Sequence, residues 1–135
     1  MDLFGILLIK ILFSDANFSR IFNKRKPTTD HWMDFSIGSS ACHIAVSQIQ
    51  KRKAVDVELY INDDKELFKS LFAHKDEIEK NMEMELEWKE LPERKASRIL
   101  IEKTVDLDDR ATWPEQFDYI MDTCIKMKRA FKRYL

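Results

Sequence analysis

The chain has 135 residues, of which 44% are apolar and 35% charged, and its formal net charge is −1. That length suits one domain over 1–135, able to bury roughly two-thirds of its unfolded surface, and so balanced a charge leaves no global field to attract nucleic acid or an anionic membrane. Two glycines rule out a glycine-rich phosphate loop, and with only three prolines they leave no linker or low-complexity stretch.

The N-terminal run Leu3–Phe13 is almost wholly apolar. It is about half the ~20 residues that a bilayer core requires. Asp2 stands where a secretory signal carries positive charge, Lys10 interrupts the run, and no small-x-small cleavage site follows. The segment therefore reads as a buried helix from Asp2 to about Phe13, with no membrane partner, resuming after Ser14-Asp15 through Phe18 to Phe22. Asn23-Lys24-Arg25-Lys26-Pro27 ends it, since a residue before proline is pushed out of helical geometry.

Trp32–Ile37 predicts a first strand, with Trp32, Asp34 and Ser36 on one face and Met33, Phe35 and Ile37 on the other. A turn at Gly38-Ser39-Ser40 leads to a second strand over Ala41–Ile49, and Gln50-Lys51-Arg52-Lys53 is the next turn. In Ala54–Ile61, Val55, Val57, Leu59 and Ile61 alternate with Ala54, Asp56, Glu58 and Tyr60, the pattern of a strand with one face buried and one wet. Connections this short make the first three strands an antiparallel meander.

Asp63-Asp64-Lys65-Glu66 reads as a capping box with Asp63 at the cap, opening one long amphipathic helix. Leu67, Phe68, Leu71, Phe72, Ile78 and Met82 form its apolar stripe. Alternation over Glu85–Glu90 predicts a fourth strand, Pro92 turns the chain, and Ser97–Glu102 is a fifth. Thr112-Trp113-Pro114-Glu115 combines a capping box with a first-turn proline. Phe117, Ile120, Met121, Cys124, Met127 and Phe131 then repeat at helical spacing. The order α-β-β-β-α-β-β-α predicts an α+β fold, an antiparallel sheet of about five strands covered by helices.

Complete catalytic sets are missing. Cys42 and Cys124 lack CxxC or Cys/His spacing and read as core thiols of a cytoplasmic protein, although nothing in their spacing excludes a disulfide. His31, His43 and His74 are scattered, so neither a metal nor a cofactor is expected. Ser39 and Ser40 lie in a turn, without the strand-elbow-helix setting of a hydrolase nucleophile. Asp56 and Glu58 share the polar face of the third strand, and Glu87-Trp88-Lys89 has the Glu-x-Lys form of metal-dependent nucleases, in which two carboxylates hold Mg²⁺ and the lysine sits beside the attacking water. The element order also resembles the start of the PD-(D/E)XK nuclease core, which places its Asp on the second strand and its Glu-x-Lys on the third. Here the second strand carries no acid and Glu87-Trp88-Lys89 falls after the helix, so solvated strand-face charges compete with a divergent nuclease.

Cationic residues gather at Lys24-Arg25-Lys26, at Lys51-Arg52-Lys53, at Arg94-Lys95 with Arg98, and in the final helix, the first three groups being the candidates for a common surface. On one edge of the sheet these would track phosphates, with Trp32 or Tyr60 available to stack on bases. The competing reading is that turns collect Lys and Arg for solubility.

Several pieces in order carry a family resemblance: Lys26-Pro27 before Trp32, Phe35-Ser36-Ile37-Gly38, Val57-Glu58-Leu59-Tyr60-Ile61, Lys65-Glu66-Leu67-Phe68, Leu86-Glu87-Trp88, Leu91-Pro92, Lys95-Ala96-Ser97-Arg98-Ile99 and Trp113. From about Lys24 onward the chain is similar to the prokaryotic domain-of-unknown-function family DUF 4268. The resemblance implies a module found alone or behind nuclease-like domains, linked to DNA handling or defence, with no catalytic residues to carry over. Together these readings point to a non-catalytic accessory module for nucleic acid or a nucleic-acid enzyme. DNA, RNA or a nuclease-like protein is then the expected partner, and Lys24, Arg25, Lys26, Lys51, Arg52, Lys53, Lys95 and Arg98 are the expected contacts. The alternatives are a protein-interaction module, such as a homodimer formed through the apolar N-terminal helix, and the divergent nuclease.

Overall fold

The computed structural model describes residues 2–23 and 32–135, Trp32 by its backbone. Chain order is α1 (Leu3–Ser14), α2 (Ala16–Ile21), β1 (Trp32–Ser36), β2 (Cys42–Ile49), β3 (Ala54–Ile61), α3 (Lys65–Phe72), α4 (Lys75–Met82), β4 (Glu87–Lys89), β5 (Ser97–Thr104) and α5 (Trp113–Lys132). The strands form one antiparallel sheet in the order β1-β2-β3-β5-β4, an α+β fold with β3 at its centre.

Side-chain caps set the N-terminal breaks. Asp2 accepts from the Gly5 amide and Asp15 from the Phe18 amide, each at 2.9 Å, so Asp15 both closes α1 and opens α2. The expected end at Lys24–Pro27 lies outside the described residues; α2 stops at Ile21, before it. The caps of α3 and α5 differ from expectation. Asp64, not Asp63, caps α3 by accepting from the Leu67 amide at 2.9 Å, while Glu66 points out to Lys69. Thr112 stands at the N-cap of α5 but donates its hydroxyl to the Asp109 carbonyl instead of capping with its side chain, while Pro114 and Glu115 keep their places in the first turn.

The single long helix expected after β3 is two helices, α3 and α4, parted at Ala73-His74. At 3.6 residues per turn an unbroken helix would bring Lys75 and Glu79 onto the stripe of Phe68 and Phe72. The break re-phases the chain, so that Ile78 and Met82 are buried and Glu79 turns to β4. There its carboxylate accepts from the Leu86 amide at 2.7 Å and from the Trp88 indole at 3.2 Å.

One face of the sheet, carrying Met33, Phe35, Ile44, Val46, Val57, Leu59 and Ile99, joins a single core with Phe4, Leu8, Leu12, Phe18, Ile120 and Phe131 from the helices. Cys42 and Cys124 are unbonded within it, and burial pushes the Cys124 thiol up to about 12. No helix among the described residues is long and apolar enough to cross a membrane. The described helices leave the opposite face of the sheet free, and that face holds the candidate site.

Candidate functional site

Strand register brings the second face together. Ser47, Asp56 and Glu102 stand in one row across β2, β3 and β5. Asp34, Ala45, Glu58, Leu100 and Glu87 form the next row, and His43, Tyr60, Arg98 and Lys89 the one beyond. Ala45 and Ser47 are small, and the longer side chains around them enclose a hollow of about 490 Å³ lined by Asp34, His43, Glu58, Tyr60, Arg94 and Arg98. Tyr60 and His43 lie side by side with ring centroids 5.3 Å apart, and the His43 Nε2 is 3.5 Å from an Asp34 carboxylate oxygen.

Loop 90–97 delivers Arg94 to the hollow, and Lys65 fixes that loop. The Lys65 ammonium donates to the carbonyls of Glu90, Leu91 (2.9 Å) and Ala96 (2.8 Å) and to the Ser97 hydroxyl (3.0 Å). Leu91 sits in the left-handed region at φ 54, a conformation costly for a side chain with a Cβ, and the ammonium holds the carbonyls on both sides of it.

The expected wet face of β3 is not wet. Asp56 is 1% exposed and Glu58 5%, because β3 is central and flanking side chains fold over both. Arg98 reaches Glu58 and lies 3.5 Å from Asp56, while Arg52 grips Glu102 through two bonds of 2.9 and 3.1 Å and stands 3.9 Å from Asp56. Burial and the adjacent Glu102 raise the Asp56 carboxyl from 3.8 to about 7, against the opposing pull of Arg98. Its partner moves the other way: hydrogen bonds from Arg52 and Asp56 lower Glu102. The two carboxyls therefore share one proton near neutrality. Asp56 Oδ1 is buried without a hydrogen-bond partner, and Asp56 stands opposite Glu102 in the β3–β5 register.

Of the sequence-proposed contacts, Arg52 and Arg98 reach this face. Arg52 and Arg98, from opposite ends of β3, meet over Asp56. Lys51 and Lys53 are exposed in the turn before Ala54, and Lys95 is exposed beside Ser97, which pairs with Ile61 at the far end of β3. Lys24, Arg25 and Lys26, and the side chain of Trp32, lie outside the described residues. The nuclease-like set shares the same face, but Glu87 pairs with Lys89 at 3.4 Å and Glu58 with Arg98. Among the described residues no group of three or more His, Cys, Asp or Glu is placed to hold a metal ion. Sequence reasoning missed the roles of Glu102, Lys65 and the His43–Asp34 pair, which only register reveals, although Glu102 opposite Asp56 follows once β3 and β5 are taken as antiparallel neighbours.

A family model described as Domain of unknown function (DUF4268) matches residues 10–135. No curated protein and no solved structure matches the chain.

Proposed function

The chain belongs to the DUF4268 family, and from that premise we propose that it is a non-catalytic accessory module that binds nucleic acid on the open face of its sheet. The observation that carries this reading is the centre of that face, where Tyr60 and His43 border a hollow that Arg94 and Arg98 also line. An aromatic face stacks on any base, and guanidinium groups take phosphate oxygens two at a time. Lys51, Arg52 and Lys53 at one end of β3 and Lys95 at the other extend the path for a backbone, and Lys24, Arg25 and Lys26 complete the proposed contacts. Two buried, unbonded thiols support a reducing, cytoplasmic setting.

Fluorescence anisotropy with short labelled single-stranded DNA and RNA, across a salt series, tests the proposal. Binding should weaken linearly in log–log form as salt rises. Tyr60→Ala should cost about tenfold in affinity, and Lys51→Glu with Lys53→Glu should flatten the salt slope by about two units. Failure of every strand to bind at low salt contradicts the reading.

A second reading rests on α1, whose outer side exposes Leu3 (47%), Ile6 (42%) and Ile11 (38%). Three large apolar side chains on one outer helix surface favour a protein-interaction role. Sedimentation at micromolar concentration tests the homodimer form of it, and a monomer contradicts that form.

A further inference from the structure

The floor of the open face holds more acid than a phosphate-binding surface needs. Asp56, Glu58 and Glu102 lie beneath Arg52 and Arg98 and occupy the guanidinium groups that a nucleic acid would use. With every acid ionised these five side chains sum to −1; with one proton on the Asp56–Glu102 pair they sum to zero. We propose that nucleic acid binds this face together with one proton, taken from solvent onto the Asp56–Glu102 pair. The inference rests on the nucleic-acid reading above.

The geometry supplies both halves of the coupling. The proton has a destination: Asp56 Oδ1 is buried and partnerless, and Asp56 pairs with Glu102 in the β3–β5 register. Protonation also has a consequence for phosphate. Arg98 meets Asp56 through Nη2 as its second acid, so neutralising Asp56 frees that side of its guanidinium, while Arg52, 3.9 Å from Asp56 through the nitrogen that also bonds Glu102, loses one competing negative charge. Incoming phosphate charge reciprocally favours the protonated pair, as linkage requires. The step is a simple proton transfer: the bond from the proton to the buffer acid breaks, an O–H bond forms on the carboxylate, and both changes reverse on release.

Other charged groups face Asp56 and bear on the pH dependence. Glu58 precedes Tyr60 on the same strand, His43 comes from β2 with Asp34 behind it on β1, and Arg94 comes from the loop before β5. Glu87 and Lys89 on β4 pair with each other, and Tyr119 of α5 feels Asp56 through the sheet. Of these, His43 lines the hollow and is separated from Asp56 by substitution.

The experiment measures affinity of the full chain for a short fluorescein-labelled single-stranded DNA between about pH 6 and about pH 8.5, at fixed ionic strength. Uptake of one proton predicts nearly constant affinity on the acid side and a fall approaching about tenfold per pH unit above neutrality. Asp56→Asn keeps the shape and the donor toward Glu102 while removing the titration, so its affinity should stay flat across the range. His43→Gln should keep the slope. A flat wild-type profile, or a slope that survives Asp56→Asn, overturns the inference and leaves the binding proposal standing; no binding at any pH overturns both. Carbon-13 NMR of the wild-type side-chain carboxyls supplies a second reading that needs no variant. An aspartate titrating near neutrality in the free protein, and higher with DNA present, supports the coupling, and an aspartate titrating only in the ordinary acidic range contradicts it.

Discussion

Asp56 shows how far placement changes a side chain. In an unfolded chain its carboxyl titrates near 3.8, and in the fold near 7. Below about pH 4 both states hold the proton and the shift costs nothing. Between about pH 4 and pH 7 the unfolded chain has lost the proton and the fold keeps it, so stability falls as pH rises, and above that window the loss is complete. Glu102, lowered by Arg52 and Asp56, has the opposite sign, contributing stability above the usual carboxylate range that is lost as pH falls. Asp56→Asn should therefore flatten the neutral limb and exceed wild-type stability at about pH 8 by ~1 kcal/mol; parallel wild-type and variant curves in urea unfolding at acid and slightly alkaline pH would contradict this. Lys65 is the other decisive residue. Lys65→Met takes a charged donor from three carbonyls, leaving Glu90 with only Ser97 and Leu91 with only the Arg94 amide, and should cost about 2–3 kcal/mol by denaturant unfolding, with protease cleavage appearing in loop 90–97. Neither role was legible in the sequence. Alternation alone assigns Asp56 to a surface and Lys65 to a helix start, and only the neighbouring strand and loop turn one into a buried acid and the other into a clasp.

At the scale of elements, hydrophobic period carried most of the fold. Ala54–Ile61 matches β3 at both ends, and Asp15 breaks the N-terminal helix where its capping chemistry says it should. What period could not supply was phase across a break. The stripe Phe68, Leu71, Phe72 runs on to Ile78 and Met82 in a helical count, yet the polar Lys75 and Glu79 on that stripe make a bend at Ala73-His74 the better packed solution. The first helix is legible only in part for a related reason. Its run is apolar all round, so the sequence does not say which side is covered. Leu8 is fully buried against the core, and Leu8→Ala should cost about 2–5 kcal/mol. Ile6 lies outside, so Ile6→Ser should change stability by less than about 0.5 kcal/mol. Equal losses for the two substitutions would show that α1 packs the other way round.

Across the whole molecule, the helices crowd one face of the sheet and leave a second face whose charges are paired instead of solvated. The basic groups distant in sequence do not merge into one patch: Lys51 and Lys53 stand at one end of β3 and Lys95 at the other, roughly 20–25 Å apart along an eight-residue strand. Between them Arg52 and Arg98 meet over Asp56, which puts two guanidinium groups above an acidic centre. The approach of Arg52 and Arg98 to Asp56, with Arg94 and Arg98 lining one hollow beside it, was not legible without strand order, because each sits in a different local context. The most direct test of the account is an amide NMR titration of the full chain with a short single-stranded oligonucleotide at slightly acid pH. The account predicts shifts concentrated at Ala45, Ser47, Tyr60, Arg94 and Arg98, with α3, α4 and α5 silent. Shifts confined to the helical layer, or none at all, would contradict it.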